Sequence, residues 1–470
     1  MYQVKSFDVT RKESQLYAYC EQVTRNSKNL YNVGNFYIRQ LMTGLKKDPV
    51  ERQKNETEII DIVNTYLPDN KLTGEKWFIG SVDLINLLTH SNNVDYRSLP
   101  ADMAQNTLRE IAGNWLKYFS ERRKYAKHPE QFTGKPGIPK YLRSDRHTAI
   151  IAKRTCHIKK NENGKHYLKL PKTQAKLWMG TFMSEDMKLV EVKIKPKTDR
   201  YSICVTIDVP EEEHHPDPDR IIGIDPGIDN FAAITNNMGL PSILVKGKVL
   251  KSLNQWYNKE NARLTSALTK GHKDRPKNSK RINAMWDKRF RVIKDTVHKI
   301  AASVIRYCIE HQVGTIVIGH TKQQKTETNI GHVNNQNFVN IPFVMFNNML
   351  AYLGKAYNIC VIEREESYTS KASFLDMDDI PTYKEGDETK YTFSGKRIKR
   401  GLYRSKNGTI LNADVNGSLN IIRKEFPHAF DHITDFSYVM QTEVWKPVGF
   451  VKNGKEEQSK VNGMPEMATA

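Results

Sequence analysis

Two acidic residues stand where the sequence could bind a divalent metal ion. Asp225 ends an apolar run, residues 221–224, and Gly227 then makes a tight turn. A carboxylate held rigidly at the end of a buried strand is a good ligand for a hard cation such as Mg²⁺. The alternative is an aspartate that only caps a turn, which is common at strand ends.

The second acid, Asp414, lies at the start of a segment with helical periodicity, residues 412–423. Its charge suits the positive end of a helix, so a simple capping role is the alternative. Asn416 and Asn420 are polar at positions where a packed helix would bury apolar side chains. Two carboxylates that a sheet and a returning helix bring together on a basic protein predict a two-metal phosphodiesterase site.

The elements that must position these acids alternate in type. Short apolar segments predict strands at 221–224, 231–235, 242–245, 315–318 and 359–362. Helical periodicity predicts helices over 251–312, 342–357 and 412–423. Three hairpin strands followed by strands that alternate with helices predict the ribonuclease H plan, a mixed sheet with helices on its faces.

The N-terminal half has a different pattern. Strands are predicted at 2–9, 167–170, 189–194 and 201–209, and helices at 16–45, 57–67 and 101–125. The late strands suggest a small β-barrel, and a polar, proline-bearing linker follows at 210–219. Apolar residues become scarce beyond residue 430, so residues 431–470 are expected to form a loosely ordered tail.

The composition favours a polyanionic partner, because 73 Lys and Arg face 53 Asp and Glu, a formal charge of +20. Basic residues with interspersed aromatic rings are concentrated in 121–160 and 270–291. Such segments suit a phosphate backbone with occasional base stacking, although solvated surface is the alternative. The candidate nucleic-acid contacts are Arg122, Arg123, Lys124, Lys135, Lys140, Arg143, Lys277, Lys280, Arg281, Lys396, Arg397, Lys399 and Arg400.

The five cysteines are far apart and form no C-x-x-C pair, which argues against a disulfide framework. No secretory signal is visible, and no apolar run approaches the roughly 18 residues of a membrane span. A soluble protein of the reducing cytoplasm, with no membrane partner, is expected.

Three segments together resemble the first, middle and third RuvC segments of the TnpB proteins of bacterial insertion sequences. They are Ile-Gly-Ile-Asp-Pro-Gly at 222–227, Ser-Tyr-Thr-Ser-Lys at 367–371 and Asn-Ala-Asp-Val-Asn-Gly-Ser-Leu-Asn at 412–420. Their order and spacing agree as well, and compact type V CRISPR effectors are similar. The resemblance is specific over residues 220–430 and concerns only the general plan of the N-terminal half.

The resemblance implies an α/β multidomain protein. A wedge-like β-barrel would comprise residues 1–10 and 130–215, and a helical recognition lobe, residues 11–129, would be inserted in it. A RuvC-like nuclease domain would follow over 220–430, with an insert at 371–411 where relatives carry a zinc ribbon.

The implied activity is that of an RNA-guided DNA endonuclease. A guide RNA would pair with the target, so that the partners are guide RNA and double- and single-stranded DNA. Asp225 and Asp414 match the positions of metal ligands, and two Mg²⁺ ions would serve a single RuvC site that cuts both strands in turn.

Two departures from the family pattern matter. Residues 371–411 contain no cysteine, so no zinc is expected. A basic run without acidic residues, Lys396 to Lys406, stands there instead, which predicts a hairpin or loop that touches DNA or RNA.

The second departure concerns the third acid, because relatives end the fourth strand with glutamate, whereas this chain has Gly319 and His320. Glu365 or Glu366, at the end of the next strand about 4.8 Å away, is predicted to replace it through the space that Gly319 leaves. Successive strand residues face opposite ways, so only one should serve, and the sequence does not say which. Glu363 is the weaker candidate, since it lies further inside the strand.

Two other functions remain open at this point. One is an RNA-guided DNA-binding protein with an inactive nuclease, acting as a repressor, which the missing fourth-strand glutamate favours. The other is a transposase that acts on DNA directly with the same acids. The sequence leaves open the oligomeric state and whether a transposon or a CRISPR locus encodes the protein.

Overall fold

The computed structural model describes residues 2–180, 187–210, 214–227, 229–271, 278–320, 343–383 and 389–447. These residues divide into two compact units, one within residues 1–210 and the other within 211–465. Among the described helices, none combines the length and apolarity that crossing a membrane requires.

The helices of the N-terminal unit bury a common apolar core. They are α1 (Ser14–Gly44), α2 (Lys54–Tyr66), α3 (Ser81–His90), α4 (Val94–Arg97) and α5 (Ala101–Lys127). Trp115 of α5 is fully buried, and its indole nitrogen Nε1 donates to Asn35 Oδ1 of α1 at 3.0 Å. The predicted helices correspond to α1, α2 and α5, whereas α3 and α4 were not expected.

Seven strands of this unit form two antiparallel sheets. They are β1 (Tyr2–Val9), β2 (Ala149–Ala152), β3 (His157–Lys160), β4 (His166–Lys169), β5 (Lys176–Gly180), β6 (Lys188–Pro196) and β7 (Tyr201–Asp208). The sheets have the orders β1-β7-β6-β2 and β3-β4-β5. No strand pairing in the described residues closes either sheet into the expected barrel. Instead α1 and α5 pack on the four-stranded sheet, so that helices bury its apolar side chains.

The C-terminal unit is built on a six-stranded mixed sheet. The described strands of this unit, which form that sheet and a small second one, are β8 (Asp217–Pro226), β9 (Asn230–Asn236), β10 (Ser242–Lys246), β11 (Val313–His320), β12 (Cys360–Glu365), β13 (Lys396–Lys399), β14 (Leu402–Arg404), β15 (Ile410–Asn412) and β16 (Thr442–Trp445). The large sheet has the order β12-β11-β8-β9-β10-β16, and the small one β13-β14-β15. Strands β8, β9 and β10 are antiparallel neighbours, while β11 runs parallel to both β8 and β12. Three hairpin strands followed by strands that alternate with helices were expected from the sequence, whereas β16 was not.

Four helices pack on the two faces of the large sheet. They are α6 (Lys248–Thr269), α7 (Lys280–Glu310), α8 (Phe343–Ala356) and α9 (Ala413–Glu425). The helical region predicted over 251–312 is therefore two helices. Ile222 and Ile224 of β8 join the apolar cluster of α7 and α8, whereas Ile221 joins the cluster of α9. Because side chains alternate along a strand, Asp225 belongs to the α9 face.

The expected tail differs from the structure over its first part. Residues 431–447 were predicted to be loosely ordered, yet β16 pairs in parallel with β10, and Tyr438 and Val439 are buried. A few apolar side chains suffice here, since they add to a core that already exists. Residues 448–470 lie outside the described part of the chain.

Candidate active site

Asp225 lies near the end of β8, where helix α9 comes unusually close. A Cβ atom on Gly417 of α9 would lie 2.6 Å from Asp225 Oδ2, and one on Gly223 would lie 2.5 Å from the carbonyl oxygen of Ser418. Neither position can carry a side chain without displacing its neighbour. The two glycines therefore let the helix bring its own acid toward the strand.

That second acid, Asp414, is in the first turn of α9 but does not cap the helix. The Asn412 side chain is the cap, since its Oδ1 accepts from the backbone N–H groups of Asp414 (2.9 Å) and Val415 (3.3 Å). Asn230 Nδ2 donates to Asp414 Oδ2 at 2.8 Å, and Arg397 Nη2 lies 3.5 Å from Asp414 Oδ1. The carboxylate is thus held by side chains, while Asn412 satisfies the first backbone N–H groups of the helix.

The two candidates for the third acid have different surroundings. Glu365 accepts from Lys424 Nζ and from the backbone N–H of Ser367, both at 2.7 Å. Glu366 acts on Asp225 through its negative charge, and its Oε2 lies 2.7 Å from the point where a Cβ on Gly319 would be. The structure therefore brings Glu366, rather than Glu365, together with Asp225 and Asp414, in the space that Gly319 leaves.

The weaker candidate, Glu363, contacts another helix. Asn347 Nδ2 of α8 donates to Glu363 Oε1 at 2.9 Å, which is on the face of the sheet away from α9. Glu363 is therefore not one of the acidic residues that lie together at the end of β8.

The electrostatics of the acids follow from these contacts. Burial raises the pKa of Asp225, the negative charges of Glu366 and Asp414 raise it further, and Arg397 partly opposes them. Burial also acts to raise the pKa of Glu365, but the hydrogen bonds from Lys424 and Ser367 outweigh it and leave the pKa below its usual value. Among the three acids, Asp225 is therefore the one whose negative charge is disfavoured, because it is buried near two like charges.

The donor chemistry of Asp225, Glu366 and Asp414 fits a hard divalent cation, since all three offer carboxylate oxygens and their mutual repulsion would be relieved by positive charge. In the described part of the chain, no three His, Cys, Asp or Glu side chains are close enough together to form a finished metal site. The side chain of Arg397 contacts Asp414 instead. The acids interact electrostatically without yet converging on one point.

Comparisons with known proteins agree with the sequence motifs. Residues 202–325, which include Asp225, match the family model of the OrfB IS605 probable transposases, the TnpB proteins. Residues 343–421, which include Glu366 and Asp414, match the model of the TNB domain of Cas12f1-like proteins. The family resemblance is confirmed.

Solved structures of Cas12f-type and other RNA-guided proteins are also similar. A cryo-EM complex of Cas12f1 with sgRNA and target DNA is 16% identical with a TM-score of 0.51, and the match covers 86% of this chain and 82% of that chain. The mini RNA-guided endonuclease CRISPR-Cas phi3 is 10% identical with a TM-score of 0.39, covering 90% and 92%. C2c1 of Alicyclobacillus acidoterrestris with single-guide RNA is 9% identical with a TM-score of 0.34, covering 84% and 69%.

The Cas12f1 likeness shows a shared fold, that of a mixed α/β multidomain protein. A search of curated protein sequences gives no match.

The basic run at 396–406 lies within the TNB-like segment. Of the two structures predicted for it, a hairpin or a loop, it forms a hairpin. Strands β13 and β14 pair antiparallel, and β14 pairs with β15. Arg397 reaches Asp414, and Arg400 forms an ion pair with Asp229. Lys396 and Lys399 are exposed on the same hairpin. This is the predicted basic element that the structure brings to the acids.

The other predicted nucleic-acid contacts belong to other elements of the chain. Arg122, Arg123 and Lys124 end α5, where Lys124 pairs with Glu121 at 3.2 Å. The exposed side chains of Lys135, Lys140 and Arg143 follow in the segment before β2. Lys280 and Arg281 open α7, whereas Lys277 lies outside the described residues.

Sequence reasoning missed three residues that support the acids, namely Asn230, Gly417 and Lys424. Asn230 begins the strand after the Asp225 turn, and its Oδ1 accepts from Lys246 Nζ at 2.8 Å. Lys424 continues the four-residue spacing of the two polar positions noted on the last helix, so that spacing was the available signal.

Proposed function

We propose that the protein is an RNA-guided DNA endonuclease with one RuvC-like site. The observation that carries the proposal is the grouping of Asp225, Glu366 and Asp414 at the end of a mixed sheet of ribonuclease H plan. The negative charges of Glu366 and Asp414 both act on Asp225, and the segments that hold the three acids match the TnpB and Cas12f1-like models.

These three acids would hold two Mg²⁺ ions, with Glu366 in place of the fourth-strand glutamate of relatives. When bound, the ions would supply an activated water and stabilise the leaving oxygen of the phosphodiester. Asn230 orients Asp414 by its 2.8 Å hydrogen bond. Arg397, which pairs with Asp414, can exchange that partner for a DNA phosphate, because Arg binds both anions through the same donors.

Guide RNA and target DNA are the proposed partners. The Cas12f1 structure that shares this fold is a complex with sgRNA and target DNA. The formal charge of +20 provides the attraction for such polyanions. The basic hairpin would contact DNA or RNA beside the acids, and the basic residues of α5, the segment after it and the start of α7 would contact the backbone elsewhere.

The domain assignment belongs to the same proposal. The N-terminal unit would contain the wedge, residues 1–10 and 130–215, and the recognition lobe, residues 11–129. Residues 220–430 would form the RuvC-like domain. Because residues 371–411 contain no cysteine, we propose that the TNB-like segment is held by β13–β15 and side-chain contacts rather than by zinc.

The test begins with the RNA that copurifies with the protein. That RNA is sequenced, its guide region is reprogrammed, and plasmid DNA with the matching target is incubated with Mg²⁺. Cleavage that requires both the matching guide and Mg²⁺ supports the proposal. Guided binding without cleavage would replace it by the repressor-like function, and strand joining without RNA would replace it by a transposase.

A further inference from the structure

Helix α9 buries three polar side chains spaced four residues apart, Asn416, Asn420 and Lys424. Residues at this spacing lie on one face of a helix. Asn416 and Asn420 are 0% exposed and Lys424 is 9% exposed. Burying such groups is unfavourable unless each finds partners, so the partners show what this polar stripe does.

The two asparagines bind the backbone that follows β12. Asn416 Oδ1 accepts from the N–H of Phe374 at 3.0 Å, and its Nδ2 donates to the carbonyl of Ala372 at 2.8 Å. Asn420 Nδ2 donates to the carbonyls of Thr369 (2.9 Å) and Ala372 (2.7 Å). A loop without regular structure is thereby tied to the helix that carries Asp414.

Lys424 fixes the beginning of the same loop. Its Nζ donates to Glu365 Oε2 at 2.7 Å and to the carbonyl of Ser367 at 2.9 Å, and also to the carbonyl of Pro381 at 3.1 Å. The residue between Glu365 and Ser367 is Glu366. Lys424 therefore binds the side chain just before the proposed third acid and the backbone just after it.

The loop would not adopt this conformation unaided. Tyr368 has φ 63°, in the left-handed region that a bulky side chain rarely adopts. Glu366 is moreover held toward the carboxylate of Asp225, and the two negative charges repel each other. Unfavourable geometry of this kind persists only where the surrounding contacts determine it.

We propose that Asn416, Asn420 and Lys424 are positioning residues that hold residues 366–374 so that Glu366, and not Glu365, faces Asp225. The inference rests on the proposed metal-dependent function and adds the device that selects its third acid. Lys424 supplies the selection, because it neutralises Glu365 and keeps that carboxylate away from the acidic group.

The decisive variant is Asn420→Asp, which keeps the size of the side chain but removes the two N–H donors. Mg²⁺ binding is measured by calorimetry, and cleavage is measured as a function of Mg²⁺ concentration. We expect the half-saturating Mg²⁺ concentration to rise about 10- to 100-fold, the usual loss when a group that orients a metal ligand is removed. The added negative charge alone would attract Mg²⁺, so weaker binding cannot be a charge effect.

The matched control is Asn237→Asp in the same unit. Asn237 is 4% exposed, and its Nδ2 donates to the carbonyls of Asp219 (2.9 Å) and Ala429 (3.1 Å), far along the chain from the loop. This variant should lose comparable thermal stability and keep its Mg²⁺ requirement. An equal change of Mg²⁺ binding in both variants, or no change in Asn420→Asp, overturns the inference.

Hydrogen–deuterium exchange in chelator provides a readout that does not depend on cleavage. Residues 366–374 should exchange faster in Asn420→Asp than in the wild type and remain protected in Asn237→Asp. Unchanged exchange there would refute the positioning role even if the wild-type protein cuts no DNA, whereas the absence of wild-type cleavage alone refutes only the proposed function. If Asn420→Asp fails to fold, Lys424→Met is measured in the same way, with the same expected directions.

Discussion

The two faces of the large sheet differ in what they bury. The face under α7 and α8 is a mainly apolar core, in which Ile222 and Ile224 join the same cluster as the fully buried Phe346. The α9 face also has apolar contacts, but it contains Asp225 and the polar stripe as well. Apolar burial stabilises the unit without specifying directions, whereas buried hydrogen bonds fix where particular atoms lie.

Substitutions on the two faces should therefore have separate effects on stability and on chemistry. Changes on the α9 face should affect metal binding and cleavage more than folding. Changes on the α7 and α8 face should affect folding alone.

The largest effect is expected from the two aspartates. Asp225→Ala and Asp414→Ala should each lower guided cleavage on the order of 10⁴-fold, as removal of single catalytic groups does. Guided DNA binding should remain, because the basic surfaces are unchanged. The measurement is cleavage of a matched plasmid beside a gel-shift assay with the same guide, and near wild-type cutting by either variant would show that the site is elsewhere.

A smaller but sharper effect is expected from the neighbouring glutamates. Glu366→Gln should abolish most cleavage, since it removes a charged oxygen beside Asp225, whereas Glu365→Gln should retain most of it because Glu365 is occupied by Lys424. Single-turnover cleavage rates with guided binding as the control distinguish the two. The reverse order of effects would assign the third acid to Glu365.

On the apolar face, Phe346→Ala should lower the free energy of unfolding by about 3–5 kcal/mol, the usual cost of an emptied aromatic position. Chemical denaturation measures this loss. The Mg²⁺ dependence of cleavage should stay the same at temperatures where the variant is folded. A changed Mg²⁺ requirement would contradict the view that this face serves folding and the α9 face serves metal binding.

The smallest effect concerns the metal-free protein. The pKa of Asp225 is raised above its usual value of 3.8, so the folded state binds this proton more tightly than the unfolded state does. The stability that this group contributes is therefore present below pH 3.8 and lost as the pH rises through the raised pKa.

Asp225→Asn should accordingly raise the melting temperature in chelator near pH 7.5, and the difference should narrow as the pH falls toward 4. Melting curves of both proteins over this pH range provide the check. Wild-type protein with excess Mg²⁺ is the control, and it should also be stabilised, because bound metal relieves the same repulsion. A lower melting temperature for Asp225→Asn in chelator would mean that the carboxylate is not repelled.

The sequence predicted the elements that carry strong local signals. The apolar runs before Asp225 and around residues 231–235 are strands because few other structures bury such runs, and α5 has a long apolar stripe. The short helices α3 and α4 and the strands β2, β3 and β5 were missed, since they depend on contacts with distant residues. Strand β16 was missed for the same reason, because each of its residues pairs with a residue of β10 that lies two hundred positions earlier.

The candidate site could be predicted only in part. Asp225, Asp414 and the relocation of the third acid to Glu365 or Glu366 followed from motif positions. The choice between the two glutamates could not, because it depends on Lys424, which reaches Glu365 across 59 positions of the chain. Periodicity and local spacing contain no information on such a contact.

Strand β16 also changes how the sheet meets other molecules. Without it, β10 would present Ile243, Leu244 and Val245, all buried at present, along an open edge of unpaired backbone groups. Such an edge invites strand addition by other chains and aggregation. With β16 in place, the edge strand of the sheet is only four residues long and exposes the charge of Glu443. Such an edge is a poor template for pairing with another strand. A chain cut before Thr442 would therefore aggregate even if the acids of its site were still in place.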